Sequence, residues 1–97
     1  MLKHCLHFSP SALRDLDRLR AFLHQKNHIA AHRASTKLLK SLQYLETNPE
    51  LGRRVVGRPN TYRELVIPFG REGYIAAYRY THEHLIILGI WHQKEHR

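Results

Sequence analysis

Residues 62–92 read YRELVIPFGREGYIAAYRYTHEHLIILGIWH, and this stretch decides the fold. It contains three runs of β-branched and aromatic residues, at positions 62–69, 74–80 and 85–92. Runs of this kind, bounded by Gly or polar residues, are typical of strands joined by tight turns. The stretch therefore predicts a three-stranded antiparallel meander. Three basic side chains interrupt its apolar pattern and are the first candidates for chemistry: Arg63, Arg79 and His92.

A short strand and two helices are predicted ahead of the meander. Residues 2–8 form the strand, and Ser9-Pro10 suits a helix start, because serine caps unpaired N–H groups and proline fits the first helical position. That helix runs to about residue 25, with an apolar stripe of Leu13, Leu16, Leu19, Phe22 and Leu23. The second helix runs to about residue 47, with a stripe of Ala31, Ala34, Leu38, Leu42 and Leu45. Asn48-Pro49 ends it, and residues 49–61 are predicted to be a loop.

The order of these elements predicts one α+β domain over residues 1–97. Its layout is β-α-α-β-β-β, with the helical hairpin packed on an antiparallel sheet. A chain of 97 residues has the usual length of a single domain.

The chain is strongly basic, with 16 Lys and Arg against 8 Asp and Glu and a formal charge of +8. Such a charge attracts phosphate-bearing or acidic protein partners without choosing between them. Cys5 is the only cysteine, so no internal disulfide can form, and a reducing cytoplasm is expected. No apolar run approaches the roughly 20 residues that span a bilayer, so no membrane association is expected.

The last strand of the meander is apolar on both faces. Strict alternation places Leu85, Ile87 and Trp91 on one face. It places Ile86, Leu88 and Ile90 on the other. Because the helical hairpin covers only one face of the sheet, we infer, as a hypothesis, that a partner chain covers the other.

The histidines do not predict a metal site. His28 and His32 have the i, i+4 spacing of one helix face, and His82 and His84 form an i, i+2 pair. No acidic residue or cysteine beside either helical or turn pair completes a four-ligand site, so no metal and no cofactor is expected. The sequence also contains no P-loop, dinucleotide fingerprint or nucleophile elbow.

The remaining candidates are mostly basic. Cleavage of RNA through its 2′-hydroxyl needs a proton acceptor, cations near the phosphate and an acid for the leaving oxygen. His92 is the natural proton carrier near neutral pH. The candidates for this chemistry, or for binding a partner or target, are Arg53, Arg54, Arg58, Arg63, Arg79, Trp91 and His92.

Simpler roles remain open for several of these candidates. Arg53 and Arg54 are more simply explained as solvated loop residues, and Arg79 could pair with an acid across the strands. Arg63 differs, because it alternates in phase with apolar neighbours and its place on their face needs a reason.

Five segments, taken in order, resemble the RelE/ParE toxins of bacterial type II toxin–antitoxin systems. They are Phe8-Ser9-Pro10 with Arg14-Asp15-Leu16, Asn48-Pro49-Glu50-Leu51-Gly52, Tyr62-Arg63-Glu64-Leu65, Gly73-Tyr74 through Tyr78-Arg79-Tyr80, and Ile86-Ile87-Leu88-Gly89-Ile90-Trp91-His92-Gln93. The resemblance covers nearly the whole chain and implies the same β-α-α-β-β-β fold. It also implies an antitoxin whose C-terminal segment wraps the toxin in a hetero-oligomer.

The family contains two mechanisms. RelE-like members cut mRNA in the ribosomal A site, whereas ParE-like members poison DNA gyrase and are associated with plasmid stabilisation. In the RelE-like pattern an arginine follows the tyrosine of the second strand, and Arg63 matches it. If this chain is RelE-like, the resemblance implies Arg58, Arg63 and His92 as catalytic candidates.

The end of the chain departs from the RelE-like pattern. His92-Gln93 stands where a basic pair is expected, and no tyrosine follows Tyr80. These departures, together with the Arg-Glu-Leu-Val-Ile-Pro-Phe form of residues 63–69, favour a ParE-like gyrase poison. The alternatives are a ribosome-dependent mRNA interferase and a non-toxic remnant that still binds an antitoxin.

Overall fold

The computed structural model describes residues 3–95. Its elements are β1 Cys5–Phe8, α1 Pro10–Lys26, α2 His28–Tyr44, β2 Arg53–Arg54, β3 Tyr62–Phe69, β4 Glu72–Tyr80 and β5 His84–His92. The predicted α+β class and element order are confirmed, and the short β2 is an addition inside the predicted loop. Leu2, predicted to open the first strand, and residues 96–97 lie outside the described residues.

The strands form one five-stranded sheet in the order β1-β5-β4-β3-β2. Strands β3 to β5 pair antiparallel, as predicted, and the added β2 pairs antiparallel with β3. Strand β1 pairs with β5 in parallel and makes the sheet mixed. A parallel pair needs a long crossover connection, and the helices and the meander between β1 and β5 provide it. The first and last strands are therefore neighbours.

The two helices are separated by a single residue, Asn27. The side chain of Asn27 accepts hydrogen bonds from the backbone N–H of Ile29 at 2.9 Å and of Ala30 at 3.1 Å. Its own backbone N–H donates to the carbonyl of Leu23 at 2.9 Å. Asn27 thus caps the end of α1 and the start of α2 at once, because its backbone is extended and its side chain is a short acceptor.

The core lies between the helical hairpin and one face of the sheet, here called the inner face. The predicted stripe of α2 is confirmed, since Ala31, Ala34, Leu38, Leu42 and Leu45 are all buried. It packs with side chains of the inner face: Leu65, Ile67, Tyr74, Ala76, Tyr78, Leu85, Ile87 and Ile90.

The predicted stripe of α1 is only partly right. Leu19 is buried, but Leu13 and Phe22 are 52% and 55% exposed. Ala12 and Asp15 are buried in their place. The helix is rotated so that the side carrying these smaller residues packs against β5, which allows a close approach of the helix to the strand.

A β-bulge at Leu88 changes the faces of the last strand. Ala77 pairs with Gly89 and Tyr78 pairs with Ile87, so Leu88 is an extra residue in β5. An extra residue reverses the alternation beyond it. Ile90 is therefore buried on the inner face and Trp91 points to the other side, so the face assignment of these two residues from strict alternation was wrong.

Between residues 3 and 95, the structure contains no helix with the length and apolarity needed to cross a membrane.

Candidate functional site

The buried side chain of Tyr78 fixes the turn that follows α2. Its hydroxyl donates to the carbonyl of Pro49 at 2.6 Å and accepts from the N–H of Gly52 at 2.8 Å. Burial raises the pKa of Tyr78, while the Gly52 N–H and the charge of Arg63 oppose the rise. The net upward shift keeps the hydroxyl protonated, as a donor to Pro49 requires.

Arg63 lies directly opposite Tyr78 in the β3–β4 ladder. Its Nη1 donates to the carbonyls of Glu50 at 3.2 Å and Gly52 at 3.0 Å. Its Nε and Nη2 donate to the carbonyl and side-chain oxygen of Asn60 at 3.1 and 2.7 Å. These bonds supply the reason for its inner-face position: Arg63 ties residues 49–52 to the loop before β3. We call Arg63 and Tyr78 together the clamp.

Position 52 has room only for glycine, because the clamp residue Tyr78 lies directly against it. A Cβ atom there would lie 2.6 Å from the Tyr78 hydroxyl oxygen and 2.8 Å from its Cε1. Contacts below about 3 Å force atoms apart. The glycine therefore lets the turn approach the tyrosine closely enough to hydrogen-bond it.

His92 lies at the other end of β4, opposite Tyr74, with the two rings edge to face at 5.4 Å. The N–H of Lys94 donates to His92 Nδ1 at 3.2 Å, so the neutral ring carries its proton on Nε2. The backbone N–H of His92 donates to Glu95 at 2.8 Å, and a carboxylate oxygen of Glu72 lies 4.0 Å from Nδ1. The imidazole is partly exposed and has an acid beside it.

The two strongest cleavage candidates do not converge. Arg63 flanks β4 at Tyr78 on one side, and His92 flanks it at Tyr74 on the other. Four residues of strand correspond to about 13 Å. A single scissile phosphate therefore cannot contact both side chains as they stand.

Arg58, Arg53 and Arg79 lie near the face of the sheet that carries no helices, here called the open face. The Arg58 guanidinium stacks on the ring of Tyr62 at 4.6 Å. Arg53 lies on β2 and pairs with Glu64 at 3.1 Å, although its side chain is 60% exposed.

The interpretation that Arg79 pairs with an acid across the strands is wrong, because neither residue directly opposite it is acidic. Its cross-strand neighbours are Tyr62 on β3 and Ile86 on β5, and the Arg79 side chain is exposed. Arg54 is also exposed, at the end of β2. Both are available to a partner or target.

An apolar row crosses the open face. Val66, Ile75 and Trp91 are successive cross-strand partners on β3, β4 and β5, and we call them the open-face row. Val66 is 40% exposed and the other two are half-buried. The row lies on the face of the sheet that the helices leave uncovered, for which the sequence analysis inferred a covering partner chain.

A groove of about 600 Å³ runs between α2 and the outer edge of β3. We call it the edge groove. Its walls are formed mainly by Lys37, Lys40, Tyr44, Leu51, Arg53 and Val66. Strand β2 pairs only with Arg63 and Glu64, so the edge of β3 from Leu65 onward is not covered by it. The groove thus joins apolar surface, basic side chains and strand backbone.

The structural role of Asp15 was not predicted from the sequence, where it was noted as part of the first family segment. The residue is 7% exposed, and its Oδ2 accepts from the N–H of Ile90 at 2.9 Å. The Ser9 hydroxyl donates to the carbonyl of Leu88 at 3.1 Å. The side chains of Ser9, which caps α1, and of Asp15, within α1, thus satisfy backbone groups of β5 where the bulge interrupts its pairing. The signal that could have found them was their place in the first recognised segment.

Comparison with known proteins gives two results. Residues 6–97 match the family described as "ParE toxin of type II toxin-antitoxin system, parDE". A protein of Caulobacter vibrioides named "Toxin RelE3" is 35% identical over 92 residues, which cover 95% of this chain and 97% of the relative. A second protein of that organism, "Toxin RelE1", is 37% identical over 89 residues, which cover 92% of each chain.

Proposed function

The chain belongs to the ParE toxin family of type II toxin–antitoxin systems, and we propose that it stops growth by poisoning DNA gyrase while cutting no nucleic acid itself. The observation that carries the proposal is the engagement of Arg63. Four of its hydrogen bonds go to residues 50, 52 and 60, all within the chain.

An RNA-cleaving site requires cations and proton carriers around one phosphate. The guanidinium of Arg63 donates its hydrogen bonds to residues 50, 52 and 60. His92 lies about 13 Å farther along β4, and Arg58 stacks on Tyr62 near the open face. These three residues occupy three places. A toxin that acts by binding needs no such convergence.

The formal charge of +8 suits a target that carries DNA. Arg54 and Arg79 are exposed and would contact such a target directly, whereas Arg53 is paired with Glu64. The open-face row supplies apolar surface on the same face of the sheet as Arg79. A protein–DNA complex such as gyrase on its substrate would contact both the exposed arginines and the apolar row of this chain.

A type II toxin has a cognate antitoxin, and we propose that an acidic, extended or helical segment of it occupies the edge groove. Lys37 and Lys40 supply charge complementarity, while Tyr44 and Leu51 supply apolar contacts; Arg53 is paired with Glu64 in the same groove. The uncovered edge of β3 offers backbone groups for strand pairing. From there the segment continues onto the open-face row.

Ribosome-dependent mRNA cleavage is the second candidate. Two observations favour it: both relatives are named as RelE toxins, and His92 is a partly exposed imidazole with Glu72 beside it. In that case His92 would be the proton carrier and a ribosomal group would replace Arg63 at the phosphate.

Two assays on the same purified toxin distinguish the candidates. The toxin is purified with its antitoxin, separated and refolded, and tested in gyrase supercoiling and on programmed ribosomes. We expect inhibition of supercoiling, trapping of a cleaved DNA–gyrase complex and no cut message.

Two variants make the comparison sharper. Arg79→Glu should weaken gyrase inhibition, whereas His92→Gln should leave it unchanged. Supercoiling that persists at high toxin excess overturns the gyrase proposal, and message cleavage that His92→Gln abolishes establishes the second candidate in its place.

A further inference from the structure

Three histidines meet at the junction of the two helices. His24 lies in the last turn of α1, His28 opens α2, and His32 lies one turn later. The rings of His24 and His28 are 4.0 Å apart between centroids. All three side chains are exposed and line one depression of about 430 Å³, together with Arg20 and Ser35.

The structure places a third histidine, His24, beside the pair His28 and His32. His28 and His32 share a helix face because they are four residues apart, the spacing of paired zinc-ligating histidines on helices. His24 belongs to the other helix, but Asn27 is the only residue between the helices, so the chain reversal brings its ring beside His28.

We propose that His24, His28 and His32 bind one divalent transition-metal ion of the Zn²⁺, Ni²⁺ or Cu²⁺ class, with water in the remaining positions. Neutral imidazole nitrogen is a preferred ligand of these ions. Three protein nitrogens plus water make an open site of the kind found where zinc keeps an exchangeable position. This inference is independent of the toxin's target.

Binding requires a small rearrangement of the three side chains. In residues 3–95 no group of three His, Cys, Asp or Glu side chains already converges on a metal position. Two imidazoles on one tetrahedral ion with bonds of ~2.0 Å have centroids about 5 Å apart, so the rings of His24 and His28 must separate by about 1 Å. Exposed side chains make this change by rotating between staggered rotamers.

Arg20 lines the same depression and distinguishes a cation from an anion as the ligand. A guanidinium repels a metal ion and attracts phosphate. We therefore expect Arg20→Gln to tighten metal binding. An anion site would respond in the opposite direction, because its main charge would be gone.

A second place where histidines meet provides the matched control. His7 Nε2 and His84 Nδ1 form a hydrogen bond of 3.0 Å where β1 pairs with β5, next to Cys5. One nitrogen of each ring is thus already engaged by the other ring. His7→Gln removes a histidine from the chain without touching the helix junction.

The test uses tag-free, full-length toxin in complex with its antitoxin, titrated with ZnCl₂ or NiCl₂ in a non-chelating buffer. Calorimetry should give one ion per toxin chain in the complex, after subtraction of a titration of antitoxin alone. His24→Gln, His28→Gln and His32→Gln should each weaken binding about tenfold or more, whereas His7→Gln should not. NMR of the histidine rings should show that Zn²⁺ shifts these three rings selectively.

Three outcomes overturn the proposal. They are absence of saturable binding at 100-fold molar excess of ion, loss of binding in His7→Gln but not in His28→Gln, and binding of inorganic phosphate that Arg20→Gln abolishes while no metal binds. Because the three residues are exposed, the variants keep the fold, and a circular dichroism spectrum of each checks this directly.

Discussion

Arg63 and Tyr78 face each other across β3 and β4, and both hold the turn at residues 49–52. The turn has no ladder of its own at Pro49 and Glu50, so these two side chains provide its hydrogen bonds from the sheet. A family position associated with cleavage chemistry therefore has a structural task in this chain.

Arg63→Gln should lower the free energy of unfolding by about 2–3 kcal/mol, because hydrogen bonds from a charged donor to several carbonyls are lost. Urea unfolding followed by circular dichroism measures it. The matched control is Arg54→Gln, whose side chain is exposed and whose backbone lies opposite Arg63; it should change stability by less than about 0.5 kcal/mol. Equal effects of the two substitutions would contradict the clamp.

Tyr78 should make the chain lose stability at high pH. Burial raises its pKa above the ordinary value, so the folded chain holds this proton to higher pH than the unfolded chain does. The stabilisation is fully present below pH ~10 and is lost as the pH rises through the folded-state pKa.

Urea unfolding between pH 8 and pH 11.5 measures this effect. Tyr78→Phe should be less stable at neutral pH and should show a shallower decline at high pH. Tyr44→Phe is the control, since Tyr44 is 67% exposed. A decline as steep in Tyr78→Phe as in the parent chain would assign the effect to another group, such as Tyr74, whose pKa burial also raises.

Asp15→Ala should destabilise the chain by about 1–3 kcal/mol, because the N–H of Ile90 is then buried without its acceptor. Amide hydrogen exchange gives a residue-level reading: the Ile90 amide should exchange faster than in the parent chain. Asp17→Ala, an exposed position two residues along α1, serves as the control. Unchanged exchange at Ile90 would refute the role of Asp15 at the bulge.

Reversing the charge of two lysines in the edge groove should weaken the binding of the antitoxin to this chain. Lys37→Glu combined with Lys40→Glu places two negative charges in the groove, and we expect an affinity loss on the order of tenfold or more, with slower association and weaker salt dependence. Surface plasmon resonance at two salt concentrations measures the affinity, the association rate and their salt dependence. Arg20→Glu with Arg71→Glu carries the same charge change elsewhere. If this control pair weakens binding equally, net charge and not the groove is responsible.

The helices and the meander could be predicted because their periodicity is local. The stripe of α2 repeats at helical spacing, and the strands are bounded by turn residues. The parallel position of β1 and the pairing of β2 depend on contacts far apart in the chain. The local signal of the bulge at Leu88 is Gly89, because an isolated glycine within a strand often marks a bulge. Strict alternation ignores it and therefore assigned Ile90 and Trp91 to the wrong faces.

The candidate residues illustrate the same limit. Sequence reasoning noticed that Arg63 needed a reason to lie on an apolar face, but the reason is the set of carbonyls in another segment. Asp15 looked like one of several charged residues on a helix surface, because nothing in its neighbours marks the Ile90 N–H as its partner. His24 was not considered beside His28 and His32, since the spacing rule for one helix does not extend across Asn27.

The parallel pairing of β1 with β5 also bears on when the toxin folds. Strand β1 (Cys5–Phe8) is synthesised well before its partner β5 (His84–His92), because both helices and the rest of the meander lie between them. Non-local pairings of this kind form late, and we expect a nascent chain that stops before residue 84 to stay unfolded. The packing of β5 against β1 and the helices would then form only after residues 84–92 have left the ribosome.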